Sequence, residues 1–598
     1  MKAVSRLLLF ALALEAKLAA QPAISEAESL QLPTAARLSS IHTAAQRDGW
    51  APQIAPLRAA AIRGYQGRRL AAAGAWFHVY RWAALFGETE GHFVARWIPA
   101  LQAAKVAHPN MTTRYAMTEQ PLGLRLTPAL QAWLMGNAAF SAEFFSLLSP
   151  VDFLPDVFRI LHELHERDPG RFRAYANLAL ALAVVYDVPP PPDWPHGQVS
   201  LEALPRKLPA ATAAFAWWTR EDQLGHTYHK LARLGADELK FVVDAAAPLA
   251  ELEWAEKIAD YPLNQLARAY KMVGYRPDRA ANSQPAWPGR TYKLPEILGA
   301  GGICVDQAYF ATQVGKARGV PTLLISGAGN DGRHAWFGFL DSNGQWQLDA
   351  GRYAEQRFVT GFARDPQTWR VFSDHELQFL SERFRQLPSF HQSSIHLGFA
   401  ADFLAAGETG AASLAARTAV KLEPRNQPGW EILVMAGEKS GRDAKTIENL
   451  LREAALAFHR YPDIEAAYVN RIAASLRARG QLSEAEAEGR HIAIKNKGPR
   501  ADLSVQQARE QLLRAIATQP LPEQIRSYNS IVDTYGRGAG IGFFDQIVTV
   551  FAEHLLRLQQ PVEARRALDR ARHTLKVEQH SQLDQEFDRL AKEVKATK

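Results

Sequence analysis

Gly301-Gly302-Ile303-Cys304-Val305-Asp306 is the stretch on which the fold turns. Its two glycines break the preceding chain, and Cys304, Ala308, Ala311 and Gly315 then recur at spacings of four, three and four, which is one face of a helix running to about Ala317. Small residues on that face let the helix lie close against a sheet. The sheet follows at once: Val320 to Ser326 is an apolar, β-branched run, His334 to Leu340 is a second and Gln345 to Asp349 a third. Asp341-Ser342-Asn343-Gly344 supplies turn residues between the last two. The expected fold class is α+β and predominantly α-helical, with a helix-plus-antiparallel-sheet core between N- and C-terminal α-helical regions.

Cys304 is the sole cysteine, so the chain forms no internal disulfide and no paired-cysteine zinc site. At the first turn of a helix, unpaired backbone N–H groups and the helix dipole favour a thiolate over a thiol. Thirty residues on, His334 opens a strand, and fifteen further Asp349 closes one. A thiolate, an imidazole and an acid that orients the imidazole are the parts that covalent acyl transfer requires.

Gly302-Ile303-Cys304-Val305-Asp306, Gly319-Val320-Pro321, His334-Ala335-Trp336 and Trp346-Gln347-Leu348-Asp349 follow one another at compact spacing. In that order they resemble the core of the transglutaminase-like cysteine superfamily, whose helix-plus-sheet core is papain-like. The resemblance covers about 70 residues, from roughly Leu294 to Gly361, and is silent about both flanks. Carried over position by position, it implies Cys304 as nucleophile, His334 as general base and acid, and Asp349 as the orienting residue. It also implies an oxyanion hole built from the Cys304 N–H and one upstream aromatic donor, for which Trp287 and Tyr292 are the candidates. Asp306, two residues after the nucleophile, is read as a cap of the same helix, and Trp336 and Trp346 as core.

The strands set a geometric condition. A two-residue turn at Asn343-Gly344 puts Asp349 opposite Gly338, on the face of His334 but roughly 14 Å further along at about 3.4 Å per residue. A triad therefore needs a shifted register, with the reversal nearer Asp341-Ser342, or a bulge that moves the acid back.

The rest of the chain bounds the reading. With 598 residues, 47% apolar and 22% charged, it is globular and long enough for three to four domains. A net charge of +7 without a dense basic tract argues against nucleic acid as partner. Residues 1–20 carry Lys2 and Arg6, an apolar run from Leu7 to Leu14 and a small-residue end at Ala19-Ala20, the order of a secretory signal; the competing reading is an ordinary first helix. Export to the periplasm or medium is expected, with no membrane span. Residues 21–188 read as an N-terminal α-helical region. Val188-Pro189-Pro190-Pro191-Pro192 begins a linker or rigid surface loop, with 189–261 leading through helices into the core. The core domain spans 262–387, with a long loop from Tyr275 to Arg290. In 388–598, Ala400, Phe403, Ala412, Ala416, Ala419 and Pro424 match a tetratricopeptide-like helical pair, and Ala473, Leu476, Ala485 and Ile492 match in part; generic helical bundles fit equally.

His162-Glu163-Leu164-His165 and His226-Thr227-Tyr228-His229 lack a zinc-protease spacing and a third ligand, so no metal site is expected. No nucleotide or calcium loop is present, so no cofactor is implied. The function expected is an exported cysteine enzyme that transfers or hydrolyses acyl groups of protein or peptide amides through a thioester, with a further protein partner on the C-terminal repeats. The alternative is a non-catalytic protein-binding scaffold around a relic core.

Overall fold

Apolar side chains at helical spacing put 68% of the structure, a computed structural model, into helix. It describes residues 23–104, 118–200, 202–203, 208–280, 287–353, 359–496 and 500–596. The segment read as an export signal and residues 281–286 of the Tyr275–Arg290 loop lie outside the described residues. The N-terminal half packs aromatic-rich helices such as Leu70–Gly87, which buries Trp76, Phe77, Trp82 and Phe86. Helix Ala176–Val185 is covered on every side, with Leu178 to Val185 all at zero exposure, which is why its sequence is a continuous apolar run without a polar stripe.

One sheet interrupts the helices. β1 (Thr322–Ala328), β2 (Arg333–Leu340), β3 (Trp346–Ala350), β4 (Gly361–Arg364) and β5 (Val371–Ser373) form an antiparallel sheet in the order β3-β2-β1-β4-β5. Helix Cys304–Ala317 packs against β1 and β2, with Ala308 and Ala311 fully buried. A Cβ at Gly315 would strike the Thr322 methyl, so the small face lets the helix lie against β1. The sequence shows one helix and three strands; β4 and β5 are additions from the structure. The proline run also differs from a free linker: Trp194 is buried with its ring 5.6 Å from that of Trp369, and Asp193 pairs with Arg364 of β4 at 2.6 Å.

From Pro388 onward most helices pack on their chain neighbours, from Pro388–Ala405 with Thr409–Leu422 through to Pro561–Leu575 with Gln582–Ala596, while Leu521–Tyr535 also packs across on Pro561–Leu575. Ala400, Phe403, Ala412, Ala416 and Ala419 are all buried in the first of these pairings. One apolar core runs from Ile41 to Leu503, and a second, separate core from Ala493 to Val594 closes the C-terminal end. No helix among the described residues is long and apolar enough to cross a membrane.

Two carboxyls inside the N-terminal half give the fold a pH dependence. Asp152 and Asp187 are each 2% exposed, and Asp187 Oδ1 has no hydrogen-bond partner. Burial raises Asp187 well above the usual carboxylate range, with Asp152 adding repulsion, and raises Asp152 to about 7 against the Ser149 N–H and Gln367 amide that bond it. Because the folded state holds these protons more tightly, their stabilisation is complete below about pH 4 and is lost as pH rises toward 7. Chemical denaturation at stepped pH should show a fall on the order of 2 to 4 kcal/mol over that window. Asp187→Asn should flatten it and gain on the order of 1 to 2 kcal/mol at pH 8; an unchanged slope would rule the pair out as its source.

Candidate active site

Backbone geometry positions Cys304 before any side chain acts. Gly301 has φ +70°, a left-handed value, and a Cβ there would collide with the Gly274 carbonyl, so glycine fits this approach. Strand-like hydrogen bonds follow, from Gly302 N–H to the Gly274 carbonyl at 2.9 Å and from Arg276 N–H to the Gly302 carbonyl at 2.8 Å. The helix then starts at Cys304, and Asp306 caps it: its carboxylate accepts from the Ile303 N–H at 2.8 Å and from the Tyr292 hydroxyl at 2.5 Å.

Cys304 is half-buried, at the edge of β2 where β3 has ended. β3 pairs with β2 only as far as Phe337–Ala350, leaving the main chain of Ala335 to other partners. The Ala335 N–H points at the Cys304 sulfur, and the Ala335 carbonyl accepts from the Tyr270 hydroxyl at 2.8 Å. The sulfur also receives the first-turn N–H groups of Cys304 and Val305. Contrary to the expectation from the helix start, these donors do not make a thiolate. Burial pushes the Cys304 thiol above its ordinary range, and Asp306 adds to this, because removing the sulfur from water costs the anion more than the three N–H groups return. Alkylation of Cys304 should therefore keep accelerating as pH rises through 9. A rate already level at pH 7 would instead show a thiolate held by an imidazolium.

His334 lines the same cavity as Cys304, a space of about 1320 Å³. Its ring stacks on Tyr353 with centroids 4.1 Å apart, and its Nε2 lies 2.9 Å from the Gly351 carbonyl. Among the described residues no hydrogen bond joins the sulfur to the imidazole, although both face one space. Asp349 stands elsewhere. Its carboxylate is 60% exposed and binds Arg352 at 2.6 Å.

The register explains this placement. Leu340 pairs with Trp346 and Phe339 with Gln347, so the reversal spans the three residues between Asp341 and Gln345, one more than a simple Asn343-Gly344 hairpin, and the register is shifted by one. Asp341 fixes it by accepting from the N–H groups of Asn343 and Gln345 at 2.8 and 2.9 Å. A bulge then places Leu348 and Asp349 against Gly338 and returns Phe337 to Ala350, the pairing of the simple hairpin. The bulge thus cancels the shift. The group it brings to the imidazole is the main chain of Gly351.

The two candidate oxyanion donors are also engaged. Trp287 gives its ring N–H to the Thr291 carbonyl at 2.8 Å, and Tyr292 gives its hydroxyl to Asp306. Tyr275, at the start of the segment whose composition reads as a loop, is 46% exposed, lines the cavity with Cys304, and sits close enough for their charges to interact. Its parallel bridge to Gly302 holds it there, and no local pattern announces such a pairing.

Arg352, beside Asp349, has its guanidinium 4.3 Å from the Trp336 ring and 3.3 Å from Asp374, so it ties the end of β3 to the far side of the sheet. Of the histidines set aside as metal ligands, His229 meets the Leu340 carbonyl at 3.0 Å, while His226 joins Glu221 at 2.6 Å and Glu256 at 3.1 Å. Those three residues have ligand-type atoms close together, but Arg220 and Arg318 already pair with the two carboxylates.

No family model matches this chain, and no match to it was found among curated proteins.

Proposed function

We propose that the chain is a cysteine acyl-transfer enzyme acting on amide bonds of peptides or proteins, built on a transglutaminase-like core. The observation that carries this reading is the meeting of Cys304 and His334 at one large cavity, with the Ala335 N–H directed at the sulfur. In the reaction His334 takes the thiol proton as the sulfur attacks the amide carbonyl. The carbon–sulfur bond forms, the carbon–nitrogen bond breaks, and the amine leaves with that proton. Water or a second amine then attacks the thioester and restores the thiol. The first-turn N–H groups of Cys304 and Val305 and the Tyr275 hydroxyl supply donors for the oxyanion. Contacts between nucleophile and base are often long in an empty site and tighten on substrate binding.

In this reading the Gly351 carbonyl holds the imidazole where the resemblance implies Asp349. Asp349→Asn then removes only an exposed ion pair, for which about 1 kcal/mol or less is usual. It should lower turnover less than about fivefold; a loss of a hundredfold would return the acid to the catalytic group. The reading itself is tested by mass spectrometry of peptide mixtures incubated with the protein, because hydrolysed and amine-coupled products differ in mass. The absence of any Cys304-dependent product would leave the second reading, a binding scaffold with a relic core, which the raised thiol and the displaced Asp349 favour.

A further inference from the structure

The residue next to His334 is where the C-terminal helices reach the site. Arg333 opens β2, and its guanidinium is held by Asp545 at 2.5 and 3.1 Å and by Glu586 at 2.9 Å. Its backbone N–H donates to the Gln582 side chain at 2.7 Å. The β1–β2 loop is gripped by main-chain bonds as well. Ile541 N–H donates to the Gly329 carbonyl at 3.1 Å, and Leu583 N–H to the Asp331 carbonyl at 2.9 Å. Gly540, with φ +61°, makes this possible, since a Cβ would strike Gly329.

Helices Leu482–Asn496 and Ala501–Thr518 contribute side chains to both apolar cores, and the contacts at Arg333 and the β1–β2 loop add a second bridge, made of polar groups. Asp545, Gln582 and Glu586 all belong to elements of the second core, Phe544–Val548 and Gln582–Ala596. Gln582 and Glu586 also wall the Cys304 cavity. A polar seam between two cores is the kind of junction that opens locally at lower free energy than either core unfolds. The strand it holds carries the imidazole, and there a displacement of about 1 Å costs about a hundredfold in rate.

We propose that Arg333 is a positioning residue through which the C-terminal helices fix the strand bearing His334, so that the site is assembled only while those helices are docked. The proposal deepens the acyl-transfer reading and rests on it, yet its signature appears without turnover. Asp545→Ala is the first variant, because Asp545 lies outside the cavity wall and its loss leaves Arg333 and Glu586 in place.

In the full-length protein, amide hydrogen exchange at residues 329–335 should accelerate about tenfold in Asp545→Ala and Arg333→Gln, while exchange in the N-terminal helices, such as Leu70–Gly87 and Ala176–Val185, stays as before. The imidazole titration of His334, followed by NMR, should move, and Arg333→Lys, which can keep one ion pair, should restore part of both signals. If turnover has been established, kcat should fall at least tenfold more than KM changes. Unchanged exchange and an unmoved titration in variants that melt as the parent does would overturn the proposal. So would accelerated exchange throughout the chain, which marks global destabilisation. Loss of turnover in the parent itself would sink the acyl-transfer reading but leave the exchange result to decide the positioning role.

Discussion

On the acyl-transfer reading proposed above, Cys304→Ala should abolish turnover, by about a thousandfold or more, and leave the melting transition in place. The chemical part follows from the mechanism: with no sulfur there is no thioester, and the donors at the site retain only the modest catalysis of an oxyanion hole without a nucleophile. The structural part follows from where the side chain sits. Cys304 is half-buried on a cavity wall, so replacing it by alanine opens no sealed void, and the helix start is fixed by the Ile303 N–H on Asp306 rather than by the thiol. The Ala335 N–H loses the sulfur as its acceptor but faces a space large enough for water. A variant that still produced hydrolysed or coupled peptide at the parent rate would end the thiol mechanism. One that failed to fold would show that the sulfur is needed for packing.

How much of this was readable in the sequence depends on whether the information was local. The Cys304 helix declares itself through two glycines, an Asp at the third helical position and small residues at one face, all within fifteen residues. β2 and β3 declare themselves through apolar runs flanking Asp341-Ser342-Asn343-Gly344. β4 and β5 do not, because they are four and three residues long and Arg364-Asp365-Pro366 reads only as a turn; β4 finds its partner in β1, distant in sequence, and β5 then pairs with β4.

The site divides in the same way. Cys304 and His334 were found by residue type and order, and they do face one cavity. The bulge opposite Gly338 that decides where Asp349 points leaves no mark in composition. Nor does the contact of Tyr275 with Gly302, or the grip of Asp545 and Glu586 on Arg333, which joins residues more than two hundred positions apart. The direction of the Cys304 shift is hidden for a related reason: the helix start is local, whereas the burial that outweighs it is assembled from distant segments.

The largest stability effect is expected at the other end of the Cys304 helix. Lys316 is 2% exposed in the last turn, and its three ammonium protons have three acceptors: Asp244 at 2.5 Å, the Phe241 carbonyl at 2.6 Å and the Thr322 carbonyl at 2.7 Å. These bonds tie the helix to the start of β1 and to the end of helix Ala236–Val243. Burial disfavours both charges, lowering Lys316 and raising Asp244, and each is held ionised chiefly by the other. Asp244→Ala leaves a buried ammonium facing two carbonyls and no counter-charge, which should cost about 3 to 5 kcal/mol in urea unfolding at neutral pH. The double variant Asp244→Ala with Lys316→Met removes both charges and keeps the aliphatic stem, so most of that loss should be recovered. A single variant that lost less than about 1 kcal/mol would mean that the two carbonyls alone satisfy the ammonium. A double variant as unstable as the single would instead mean that removing the buried ammonium gains no more than the lost bonds to Phe241 and Thr322 cost.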